Sequence, residues 1–191
     1  PYKYLEYILS DGSSYFDTGV APSNYADGIT YEFSGRMTGK TATSNNNYLF
    51  GCLNSTRSGN VAINTANNTL SLYLGSSSGA ARSTTPPGLD EDFTVTLTAS
   101  ASKPSILSLE LNGIEVTGST PASAAIPTGT IYLMHCSGLS STSASRPLTG
   151  RLYSFTMTDT ASGKLIRNFV PSRRVGDEVI GLLDTVENVF Y

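Results

Sequence analysis

Apolar positions along this chain alternate with polar ones at every second residue, or gather in short runs rich in β-branched and aromatic side chains. No window keeps a helical period, so the pattern predicts strands throughout. In the segment DFTVTLT, Phe93, Val95 and Leu97 fall on one side while Thr94, Thr96 and Thr98 fall on the other. That is a strand with one face in a core and one in water, as antiparallel sheets have. The same reading predicts strands at 4–9, 15–18, 28–36, 47–53, 60–64 and 69–75. Further strands are predicted at 92–99, 105–111, 114–118, 130–136, 149–159, 164–170 and 179–183. Within 149–159, strict alternation sets Leu152, Ser154, Thr156 and Thr158 against an apolar face of Tyr153, Phe155 and Met157. Within 164–170 it sets Leu165, Arg167 and Phe169 against Ile166, Asn168 and Val170.

The breaks between these runs have turn chemistry. Asn112-Gly113 separates SLEL from IEVTG, and a two-residue type I′ hairpin needs positive φ at both positions, which Asn and Gly supply. Ala161-Ser162-Gly163 plays the same part nearer the C-terminus. The Ser/Gly/Pro/Ala-rich segments 37–46, 76–90, 119–129 and 137–147 read as loops over a sheet scaffold, because strands flank each closely. Residues 1–191 are therefore expected to form one domain. Strands without helices must bury their apolar faces against one another, which predicts two packed antiparallel sheets.

Composition narrows the functional classes. Ser and Thr number 27 and 23, about a quarter of the 191 residues, while charged residues are only 14%. With 39% hydrophobic residues the chain still has material for a core, so it is not a disordered Ser/Thr stalk. A net charge of −3 argues against a nucleic-acid binder, which would carry a basic stripe. No apolar run is long enough for a membrane-spanning helix, and PYKYLEYILS lacks the charged-then-apolar order of a signal peptide. Cys52 and Cys136 lack zinc-knuckle spacing; each closes a predicted strand, and both a disulfide and two buried thiols fit that placement.

The closing stretch GRLYSFTMTDTASGKLIRNFVPSRRVGDEVIGLLDTVENVFY resembles the end of laminin-G-like, concanavalin-A-like jelly-roll domains of bacterial surface and phage structural proteins. The opening YLEYILSDGSSYFDTGVAPSN and the segment YLFGCLNS resemble two further landmarks of that group, while 54–130 matches only in character. The resemblance implies an all-β, two-sheet antiparallel jelly-roll β-sandwich of the concanavalin A-like lectin and glucanase type. It also implies an extracellular, cell-surface or virion location, and a place in a larger or oligomeric assembly. Asp159, Lys164, Arg167 and Asp184 are expected as polar pins beside the closing strands.

Catalytic constellations are hard to assemble from these residues. The single histidine, His135, adjoins Cys136, and neighbours on a strand point to opposite faces. No GxSxG elbow presents a serine. Jelly-roll glucanases line up carboxylates as Glu-x-Asp-x-Glu on one strand face, a triplet this sequence lacks. Asp90, with Asp92, is a weak calcium candidate in an acidic turn, and Asp11, Asp17 and Asp27 are the other candidate oxygen donors. The expectation is a non-catalytic module that binds a glycan or cell-surface receptor. Sugar sites pair an aromatic platform with short polar side chains. The rim residues picked for that role are Asn46, Tyr48, Arg82, His135 and Arg146. A structural or adhesion module with protein contacts is the alternative, and a glycan hydrolase a distant third.

Overall fold

The computed structural model describes residues 1–12, 14–39, 47–52, 60–66, 69–75, 82–100, 103, 105, 107–118, 128–136 and 146–191. Among the described residues the regular structure is β-strand, apart from one short 3-10 turn at Pro22–Asn24. The strands form two sheets. The larger is built on β4 (Ile29–Met37), β9 (Asp92–Ala99), β10 (Leu107–Leu111), β14 (Thr149–Asp159), β15 (Leu165–Arg174) and β16 (Ile180–Asp184). Its edges are the short strands β11 (Ile114–Glu115) and β17 (Val189–Phe190). The smaller runs in the order β3 (Phe16–Asp17), β12 (Tyr132–Leu133), β5 (Asn47–Cys52), β6 (Asn60–Ala66), β7 (Thr69–Gly75) and β8 (Arg82–Thr84). All pairings are antiparallel except that of β13 (Arg146–Pro147) with β5. This is the expected two-sheet jelly-roll β-sandwich.

Alternation fills the space between the sheets. Tyr31 and Phe33 of β4, Val95 and Leu97 of β9, and Phe155 and Met157 of β14 are all 0% exposed. Phe50 reaches them from the smaller sheet, with ring centroids 5.3 Å from Tyr31 and 5.1 Å from Phe155. Full burial of each such side chain contributes about 1.5–3 kcal/mol, so this aromatic seam holds the layers together. The opposite face of the larger sheet is the wet one. Cross-strand partners Thr98, Thr30 and Thr158 lie in one row there, and the Thr30 and Thr98 hydroxyls are 2.9 Å apart. Much of the unusual threonine content is thus a solvated sheet face.

Several expectations need correction. The predicted strand at 4–9 is two strands, β1 (Tyr2–Tyr4) and β2 (Ile8–Asp11). β14 and β15 separate at one end, and β1 pairs with β15 while β2 pairs with β14. Strict alternation fails in β14 because the register with β4 shifts between Leu152 and Ser154. This β-bulge turns Leu152 inward beside Phe155 and Met157 and leaves Tyr153 half-buried on the other face. A second shift, between Met157 and Thr158, lets Ile166 and Phe169 both reach the core. The strand expected at 130–136 stops after Leu133, because Met134 takes a φ of 60°. Strands β8, β13 and β17 carry no alternation long enough to see. The Asn112-Gly113 hairpin forms as expected, with φ of 52° and 75°.

The expected pins around the closing strands are present in part. Asp184 is 0% exposed, accepts the amides of Asn168 (3.1 Å) and Val186 (3.0 Å), and faces Arg167 Nε at 3.3 Å. Asp159 is held low chiefly by the Ser162 hydroxyl, which donates to it at 2.5 Å within the β14–β15 turn. Both cysteines are buried thiols rather than a disulfide, and the Cys52 thiol donates to the Gly129 carbonyl at 3.1 Å. Burial pushes the Cys136 thiol well up.

Candidate functional site

The edge of the smaller sheet gathers the most exposed aromatic cluster of the described residues. Tyr132 lies opposite Asp17 and Leu133 opposite Phe16 where β12 pairs with β3. Leu133 is fully buried and Phe16 packs against the core. By alternation the next positions, Asp17 and Tyr132, face solvent, and Tyr15 joins them two residues from Asp17. Tyr15 is 51% exposed and its ring stacks on Tyr132, with centroids 4.7 Å apart and planes 9° from parallel. His135 presents its ring edge-on to both, at 5.2 Å from Tyr15 and 6.3 Å from Tyr132.

Backbone geometry places each member. The positive φ at Met134 turns the chain off the sheet, so His135 comes to the surface while Cys136 is buried. The Cys136 amide donates to His135 Nδ1 at 2.5 Å, and the Cys136 carbonyl lies 2.9 Å from the same nitrogen, so the ring is held against its own backbone. On the other side, Thr18 ties the β3 segment down. Its amide and hydroxyl donate to the Ile131 carbonyl at 3.0 and 2.8 Å. Gly19, at a φ of 68°, turns its amide back onto Asp17 Oδ1 at 2.9 Å. Tyr15, Phe16, Asp17, Gly19 and Tyr191 line an open depression beside the stack. The Tyr132 phenol is pushed up from its ordinary value, first by burial and then by the Asp17 carboxylate and Tyr15. At neutral pH it is therefore a neutral hydroxyl that can donate and accept.

Stacked phenol rings, a carboxylate and an imidazole edge are the equipment of a polyol site. The rings cover the apolar face of a sugar, and the short polar groups bond its hydroxyls. Two other clusters are built differently. On the wet face of the larger sheet, Arg36 Nε (2.7 Å) and the Tyr153 hydroxyl (2.5 Å) both donate to Asp92, while Arg151 lies 4.3 Å over the Tyr7 ring. Arg36, Tyr153 and Asp92 bond one another, and the Arg36 hydrogen bond, with that of Tyr153, holds the Asp92 carboxyl at about 2. A cleft of about 210 Å³ near the β14–β15 turn is lined by Tyr25, Asp159, Lys164, Arg167 and Glu187 among others.

Of the residues picked from the sequence, His135 is placed in the aromatic cluster. Tyr48 is 6% exposed and sits within β5. Arg82 is 9% exposed and donates to the carbonyls of Val116 (2.8 Å) and Leu107 (3.3 Å), tying β8 to the β10–β11 hairpin of the other sheet. Asn46 lies outside the described residues, and the backbone of Arg146 pairs beside Asn47. Asp90 occupies a turn at a φ of 62°, and Asp92 is committed to Arg36 and Tyr153. Among the described residues no group of three or more His, Cys, Asp or Glu is placed to hold a metal ion. Tyr15 and Tyr132 were not singled out, although alternation at 15–17 and in IYLMH carried the signal for their outward faces.

Glu32, Glu110 and Glu115 do not form a glycosidase cleft. Glu32 and Glu110 flank Thr96 in one row on the wet face, two strand spacings or about 10 Å apart. Glu110 directly faces Glu115 on the outermost hairpin, where Glu115 is exposed and Glu110 half-buried. No helix among the described residues is long and apolar enough to cross a membrane.

Comparison with known proteins agrees with this architecture. No protein-family model matches the chain, and no curated protein sequence matches it. Among solved structures, domains LG4-5 of the mouse laminin α1 chain align at a TM-score of 0.59 and 14% identity, covering 86% of this chain and 43% of that one. A Trypanosoma rangeli sialidase in complex with 2,3-difluorosialic acid aligns at a TM-score of 0.52 and 14% identity, covering 82% and 27%. The chain thus spans less than half the length of these structures. Identities this low carry the fold and nothing finer. The fold is a two-sheet jelly roll similar to that of the laminin domains.

Proposed function

We propose that residues 1–191 form one non-catalytic binding module that recognises carbohydrate on a surface outside the cell, whether of a cell, a mucin layer or a phage host. The observation that carries this reading is the outward stack of Tyr15 on Tyr132, with His135 at its edge and Asp17 beside it. The Tyr15 ring stays 51% exposed although it stacks on Tyr132, and a sugar face is a natural cover for the exposed part. The laminin likeness supports a module of this size, since that structure spans two named domains and the match covers 43% of it. The sialidase likeness leaves catalysis as a reading to test. The scattered carboxylates favour binding without turnover.

The test is a glycan array followed by titration calorimetry. Tyr15→Ala should weaken binding about tenfold, the order expected when one stacking ring is lost. A protein that binds no glycan at millimolar concentration overturns the reading. One observation favours a second reading, a structural module that contacts protein neighbours. Val179, Ile180 and Val189 are 43%, 59% and 44% exposed along the β16–β17 edge. Self-association that is abolished by Ile180→Asp, with no glycan binding, would support it.

A further inference from the structure

We infer that the Tyr15–Tyr132 platform selects neutral sugars and rejects acidic ones, with Asp17 as the discriminating residue. This deepens the carbohydrate reading and rests on it.

The argument starts from the charges that surround the platform. Asp17 is exposed and lines the depression with Tyr15, Phe16, Gly19 and Tyr191. It is also the cross-strand partner of Tyr132, so its carboxylate stands beside the ring stack rather than behind it. Among the described residues lining that depression there is no Lys or Arg. The cation that touches this segment is Arg167, whose Nε donates to the Thr18 carbonyl at 3.3 Å. Its charge is already met by Asp184 at 3.3 Å and Glu187 at 2.9 Å. Among the described groups around this segment, one guanidinium thus stands against three carboxylates, which leaves an excess of negative charge beside the platform.

Asp17 has capacity to spare. Oδ1 accepts the Gly19 amide, which aims the carboxylate, and an ionised carboxylate accepts further bonds at both oxygens. A sugar seated on Tyr15 can therefore donate hydroxyl protons to Asp17 and meet the neutral Tyr132 phenol. A uronic acid or sialic acid brings a carboxylate that donates nothing and repels Asp17. For two unit charges about 5 Å apart under water-like screening, the penalty is about fourfold in affinity, and more if solvent is displaced. A phosphate or sulfate group carries at least the same penalty.

The experiment titrates the methyl glycosides of galactose and glucose, and the corresponding galacturonic and glucuronic acids, against the whole chain at low salt and pH 7. Wild type, Tyr15→Ala and Asp17→Asn are compared. Asn keeps the side-chain oxygen that accepts the Gly19 amide, so the local turn survives while the charge is removed. The expected result is a neutral sugar favoured about fourfold or more over its uronic acid. That ratio falls to near one in Asp17→Asn, shrinks at 0.5 M salt, and coincides with about tenfold weaker binding of the neutral sugar in Tyr15→Ala. Tyr15-dependent binding in which the uronic acid matches or beats the neutral sugar overturns the selectivity and leaves the platform standing. So does a neutral preference that persists unchanged in Asp17→Asn. Failure of every sugar to bind sinks the carbohydrate reading itself, and this inference with it.

Discussion

Tyr31 sits in the middle of the core with its hydroxyl bonded to nothing among the described residues. The residue is 0% exposed, its ring stacked 5.3 Å from Phe50 and 6.4 Å from Phe155. A buried hydroxyl that leaves water without a partner costs about 1–3 kcal/mol. Tyr31→Phe keeps the ring contacts and removes that cost. It leaves a void of roughly 10 Å³, worth about 0.2 kcal/mol at about 24 cal/mol per Å³. The net expectation is a gain of about 1–2 kcal/mol, or roughly 2–8 °C in Tm for a chain of this size. The pH dependence has a definite sign. Burial, with Cys52 adding to it, pushes the Tyr31 phenol far above its ordinary value. Above about pH 10 the unfolded chain releases that proton while the folded protein holds it, so rising pH favours unfolding. The raised Cys136 thiol adds to this alkaline loss equally in both proteins. The advantage of Tyr31→Phe should therefore widen from pH 7 to pH 10.5, by up to about 1.4 kcal/mol per pH unit past the unfolded value. Urea melts followed by circular dichroism at both pH values measure it. A Phe variant no more stable than wild type at pH 7, or an advantage that stays flat with pH, would show that the hydroxyl has a partner and refute the reasoning.

Three further substitutions probe the scaffold. A Cβ at Gly150 would lie 2.2 Å from the Arg36 carbonyl oxygen, so Gly150→Ala should force β14 from β4 and destabilise by about 2–4 kcal/mol in the same melts. Arg82→Met removes the donors to the Val116 and Leu107 carbonyls and should cost about 2–4 kcal/mol, with sugar affinity per folded molecule unchanged in calorimetry. Affinity that falls with it would return Arg82 to the binding site. Glu115 lies directly opposite Glu110, so Glu115→Lys replaces a like-charge pair with an attractive one and should raise stability by about 0.5 kcal/mol, less at high salt.

The fold was legible because β-sandwich strands carry their own ruler. In β9 each apolar residue from Phe93 to Ala99 is buried and each polar one between them is not, as a period of two requires. The ruler slips where an extra residue enters a strand. At Leu152–Ser154 nothing in the one-dimensional pattern marks the bulge, since Leu, Tyr and Phe all look apolar. What decides is that β4 runs alongside: Gly35 and Gly150 bring the two backbones too close for side chains, and the register yields there instead. Glycine inside a predicted strand was the available clue to close backbone approach.

The site was harder to read, for a reason that follows from the same geometry. The rim residues were chosen as polar groups next to loops, which assumes that function follows local sequence. Tyr48 and Arg82 answer to their sheets instead: Tyr48 is enclosed in β5, and the Arg82 guanidinium is spent on carbonyls of the opposite sheet. The platform exists because β3 and β12 pair although they lie far apart in the sequence. Alternation says that Tyr15 and Tyr132 each face out, but only the pairing register says that they face out together. Register between distant strands is set by which partner buries Phe16 and Leu133, a property of the whole core. Single residues can therefore be ranked from sequence as sugar contacts only after strand order is known. That order also puts Asp17 beside the rings, which makes charge, rather than ring count, the determinant of what they hold.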